Sequence, residues 1–171
     1  MNRGLLYYLM MPLLLAAALL QSATFARLSV AGVKPDAVLL LVIAGTLLYG
    51  GRAGVVWAFA GGIALDLFSG GPMGSSSLAL MAAALVASLG HRTLSRFNLF
   101  VPLGVCVFGT LTYALVYMAI LVGLNTLDLW SSSLPLAPTL ERVVVPMLAY
   151  NTALMLIALP LLNRVPEIPE V

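Results

Sequence analysis

Hydrophobic residues run along this chain in six long blocks, separated by polar breaks of which all but one are short. Within the blocks there is no alternation of the strand type and hardly a charge, so each reads as an apolar helix. About 20 such residues cross the hydrocarbon core of a bilayer. The predicted helices cover residues 4–26, 35–51, 53–69, 76–90, 100–124 and 143–162. The breaks hold residues that reverse a chain. Gly50-Gly51-Arg52 makes a tight reversal after the second block, and Gly70-Gly71-Pro72-Met73-Gly74 a turn after the third. Glycine supplies the unusual backbone angles and proline cannot continue a helix. One connection is long, 125–142, with Asp128, three consecutive serines, Pro135, Pro138 and Trp130. Its tryptophan suits a membrane–water interface, and residues 130–140 read as a re-entrant or interfacial piece. Pro146 falls in the first turn of the last helix, where proline is tolerated. The fold class expected is all-α: residues 1–171 as a single polytopic transmembrane domain of about six helices.

The third block has a pattern of its own. A small residue or an acid recurs at every fourth position: Gly50, Gly54, Ala58, Gly62, Asp66, Gly70 and Gly74. That spacing places neighbours on nearly one helix face. Small residues so placed let another backbone approach inside a membrane, so the stripe is a candidate helix-packing or partner surface. Its acid, Asp66, follows Arg52 by 14 residues, about 21 Å along a helix. It therefore falls in the outer half of the membrane, where a carboxylate is expensive. Two readings of Asp66 stand together: a polar contact to a partner helix, ligand or proton, or a structural hydrogen bond that pins the glycine-rich turn. Lys34-Pro35-Asp36 precedes the second block as a second candidate motif. Proline at a helix start and an acid in the first turn suit the helix dipole; the functional alternative is an external contact with the 70–77 turn.

Composition supports the membrane reading. Apolar residues make up 62% of the chain and charged ones 8%, where a soluble domain is about one-quarter charged. Too few charges remain to solvate a water-facing surface. The first block, 4–26, is longer than a secretory signal core of about 7–15 residues and is expected to be a retained helix. Arg3, Arg52, Arg92, Arg96 and Arg164 fall on one side of the predicted topology, and Arg27, Lys34 and Arg142 on the other. The richer side is expected to be cytoplasmic, with both termini there.

Several chemistries are left without residues. The net charge of +2 is scattered, so nucleic acid is not an expected partner. Cys106 is alone and His91 has no clustered ligands near it in sequence, so no metal or cofactor is expected. An aspartyl protease needs two intramembrane acids, and the best serines lie on the opposite side from His91. No phosphate loop of the G-x-x-x-x-G-K type occurs. The chain is expected not to be an enzyme.

Lys34-Pro35-Asp36, the glycines around Arg52, and Gly62-Ile63-Ala64-Leu65-Asp66-Leu67-Phe68-Ser69-Gly70 followed by Pro72-Met73-Gly74 resemble the family of the rod shape-determining protein MreD. Ile63 stands where that family's block usually has leucine. The resemblance implies a bacterial inner-membrane component of the cell-elongation machinery with no catalytic activity. It implies an MreC-like bitopic partner and, through it, MreB and a glycosyltransferase–transpeptidase wall synthase. It also implies a fold similar to the substrate-binding component of energy-coupling-factor vitamin transporters. A substrate-capture component of such a transporter is the alternative function.

Overall fold

A computed structural model describes residues 3–24, 36–91, 100–129 and 140–162. These residues form six α-helices: α1 (Arg3–Thr24), α2 (Ala37–Tyr49), α3 (Gly51–Ser69), α4 (Ser75–His91), α5 (Phe100–Thr126) and α6 (Val145–Leu162). A π-helical turn, Leu140–Val144, leads into α6. Three helical stretches are both long and apolar enough to cross a membrane: Gly51–Ser69, Phe100–Thr126 and Glu141–Ala158. The apolar stretches Tyr8–Ala23, Ala37–Tyr49 and Ser75–Gly90 are shorter. At 13 residues, α2 rises about 20 Å, less than the ~30 Å hydrocarbon core.

The short helix is the central one. α2 packs against α1, α3, α4, α5 and α6, and Val38, Leu39, Val42, Ile43 and Leu47 are fully or almost fully buried. Around it, α1 packs on α3, α3 on α4, α4 on α5 and α5 on α6. Among the described residues α1 and α6 share no comparable packing. Trp57 is the largest fully buried side chain, and its ring meets Tyr49 edge-on at 5.4 Å between centroids. Outward faces are apolar, with Leu20, Leu67, Leu89, Phe108 and Ile157 largely exposed, as lipid-facing helices require.

The reversal at 50–52 takes less chain than expected. Gly50 alone, at φ +86°, ends α2 and starts α3, while Gly51 and Arg52 are already helical. A glycine with positive φ supplies the bend without further residues. The interval 130–139 lies outside the described residues, so of the interfacial piece expected at 130–140 only Leu140 is placed, at the start of the π-helical turn.

Candidate functional site

The spacing-of-four pattern of the third block divides in the structure. Gly54, Ala58, Gly62 and Asp66 are helical and buried in α3, whereas Gly50, Gly70 and Gly74 lie outside it with positive φ. Four residues advance slightly more than one 3.6-residue turn, so such a stripe drifts round the axis. Gly54 accordingly lies against Thr46 of α2, and Gly62 against the backbone of Ser77 in α4. Both glycines make close approaches to helices of this same chain. Ser77 Oγ also donates to the Phe59 carbonyl at 3.2 Å, tying the α3–α4 seam.

Asp66 ends the stripe and caps the next helix. Its Oδ2 accepts from Gly74 N–H at 2.7 Å, and its Oδ1 accepts from Ser76 N–H at 3.0 Å and lies 3.5 Å from Ser75 Oγ. The first N–H groups of a helix have no partner inside it, and a carboxylate there also meets the positive end of the dipole. An acid on α3 thus supplies the N-terminal cap of α4 across a five-residue connection. Gly70 and Gly74, at φ +69° and +89°, allow the chain to fold back tightly enough.

Asp36 does the same for α2. Its Oδ1 accepts from Leu39 N–H at 2.9 Å, the usual N-cap bond. Because this helix starts inside the bundle, its other free donors go to neighbouring helices. Asp36 N–H donates to Asn151 Oδ1 of α6 at 3.2 Å, and Val38 N–H to Gln21 Oε1 of α1 at 3.4 Å. Asn151 Nδ2 donates to Thr110 Oγ1 of α5 at 3.3 Å, and Cys106 Sγ lies 3.5 Å from the Asn151 carbonyl.

These two caps meet through α5. Tyr113 of α5 lies beside Asp36 and Ser76, and Tyr117 beside Ser75. The two rings stack with centroids 6.0 Å apart. Every helix contributes to this polar layer: Gln21 from α1, the Asp36 cap of α2, Asp66 from α3, Ser75 and Ser76 from α4, Thr110, Tyr113 and Tyr117 from α5, and Asn151 from α6. Asp36, Asp66 and Asn151 are 5%, 1% and 0% exposed. The layer joins six helices toward one end of an apolar bundle.

Of the two sequence-selected motifs, Asp36 and Asp66 converge on this layer. Lys34 and Pro35 lie outside the described residues. No group of three or more His, Cys, Asp or Glu residues suited to a metal occurs among the described residues.

A family model for the rod shape-determining protein MreD matches residues 2–165. The chain belongs to the MreD family. This makes it a cell-shape membrane protein, in a family of shape-determining proteins not known as enzymes. The apolar helices fit a multi-pass member of that family. No curated protein and no solved structure matches the chain, so the expected likeness to energy-coupling-factor components gains no support.

Proposed function

We propose that this protein is a non-enzymatic membrane scaffold of the bacterial cell-elongation machinery. It holds an MreC-like single-span protein in the inner membrane and, through it, supports MreB and the peptidoglycan glycosyltransferase–transpeptidase. The observation that carries this reading is the family match over residues 2–165. The polar layer supports it physically. Asp36, Asp66, Asn151 and the serines of α4 are engaged in closing helix ends and joining helices, which gives them a structural task and assigns no reaction to them. A bundle whose polar groups look inward offers its neighbours apolar helix faces, the surface other membrane segments bind.

Purification of the full chain from its native membrane in mild detergent tests the proposal. An MreC-like bitopic protein should co-purify, and depletion of the chain should turn rods into spheres. Recovery of a transporter ATPase module with a bound vitamin, and no such bitopic protein, would replace scaffold with substrate capture.

A further inference from the structure

Helices α2 to α5 are level at one end of the bundle and stepped at the other. At the Arg52 end, Gly51 of α3 lies against Ser88 of α4, and Gly90 of α4 against Leu47 of α2 and Val101 and Val105 of α5. At the Met73 end, α2 starts at its Asp36 cap, and α3 ends and α4 starts around Asp66. α1 reaches Thr24, three residues past Gln21, which binds Val38 N–H. α5 does not stop at this level. Tyr117 lies beside Ser75 with its hydroxyl against Gly71, yet the helix continues nine residues further, to Thr126, about 13 Å. α6 is offset in the same sense. Asn151 is its residue in the polar layer, and the helical chain leading to it starts eleven residues earlier, at Leu140. The two projecting ends pack on each other through Ala114, Met118, Val144 and Leu148. Residues 118–124 carry no charge. Val122 extends the exposed apolar face of Phe108 and Leu115, with Val143 and Val145 exposed on the α6 side.

We infer that this chain holds its bilayer at two heights, with the lipid leaflet on the Met73 side thicker along α5 and α6 than along α3 and α4. The 19 residues of α3 rise about 28 Å, which fits the ~30 Å hydrocarbon core. The apolar run 100–124 of α5 rises about 37 Å, which exceeds it. An apolar span that is too long is accommodated by tilt or by local thickening of the bilayer. α5 is packed along α4 from Val101 to Tyr117, so it does not tilt alone. Tilting the whole bundle would lift α3 out of the hydrocarbon that it already fits. Leaving the projection in water would hydrate an uncharged apolar stretch that is continuous with the lipid-facing side of α5. The leaflet therefore rises to cover α5 and α6, and longer acyl chains are favoured there over the chains beside α3 and α4. The inference goes beyond the scaffold reading and requires only that the helices span.

The test uses the full chain with Trp130→Phe, purified and reconstituted in phosphatidylcholine vesicles. Trp57 is fully buried and so is screened from lipid. One variant adds Val122→Trp on the α5 projection, and another adds Leu67→Trp near the Met73 end of α3, both at exposed positions. Ala119→Trp, exposed one turn below Val122, serves as a second reporter on the projection. Fluorescence quenching by brominated dioleoyl lipid, and by its longer dierucoyl counterpart, gives each face's relative affinity for the longer chain. That affinity should be about twofold or more higher at positions 119 and 122 than at 67. All three reporters should be quenched by lipid bromine and shielded from aqueous iodide. Equal chain preference on the two faces would overturn the inference in favour of a bundle that tilts as one body. Reporters at 119 and 122 that iodide reaches and lipid bromine does not would also overturn it, placing the projection in water as a surface for another protein.

Discussion

At the scale of the residue, a carboxylate in this bundle acts mainly as an acceptor for backbone N–H groups. Asp66→Leu removes the acceptor for two N–H groups, Gly74 and Ser76. An unsatisfied buried donor costs about 1–3 kcal/mol, so the loss should be roughly 2–6 kcal/mol. Asp66→Asn keeps one carbonyl oxygen and should cost less. Thermal unfolding in detergent should rank wild type above Asn above Leu; a Leu variant as stable as wild type would remove the capping role. Glycines divide the same way. A Cβ on Gly62 would meet the Ser77 backbone, which cannot turn aside, whereas one on Gly104 meets nothing within 4 Å. Gly62→Ala should destabilise by about 1–3 kcal/mol or more. Gly104→Ala, in the interior of α5, should be neutral or stabilise by up to about 1 kcal/mol. Equal effects of the two substitutions on the melting temperature would contradict the close approach at α3–α4.

At the scale of the element, the legible part of the chain was its hydropathy. Six apolar blocks became six helices because in lipid each helix must satisfy its own backbone, a local requirement that a sequence displays. Helix ends are less legible in the sequence. The third helix starts at Gly51 rather than 53, since Gly50 turns the chain by itself. The convergence of the polar layer was hidden because it is long-range: Asp36 and Asn151 are 115 positions apart. A signal for Asn151 did exist. It is the one asparagine in the last apolar block before 163, and a polar side chain in a span usually finds an interhelical partner. Gln21 and Tyr113 could have been flagged for the same reason, although nothing local names their partners. α6 packs mainly on α5 and only lightly on α2, so Asn151 is its polar tie to the central helix. Asn151→Leu leaves Asp36 N–H and the Thr110 hydroxyl without this partner and should cost about 1 kcal/mol. Protease nicking in the 130–139 connection, followed by detergent exchange, should then release α6 more readily than from wild type. Unchanged retention would make the tie dispensable.

At the scale of the whole molecule, α3 fixes how orientation can be measured. Arg52 lies exposed in its first turn, and Met73 lies in the turn beyond its far end, 70% exposed. The 19 residues of α3 rise about 28 Å, close to the hydrocarbon thickness. Arg52 and Met73 therefore belong to opposite faces of the membrane. We propose that the Arg52 side, the side richer in positive residues along the sequence, faces the cytoplasm. Cys106 is fully buried and should stay silent toward a water-soluble maleimide. Met73→Cys should be labelled by an impermeant maleimide added outside intact spheroplasts, and Arg52→Cys only after permeabilisation. The reverse pattern would invert the molecule and, because the polar layer lies nearer the Met73 end of α3, move that layer from the outer to the inner half of the bilayer. Labelling of both sites from one side would mean that α3 does not span, and the arrangement of helices around α2 would then have to be accommodated outside the hydrocarbon, where its exposed leucines and phenylalanines would face water.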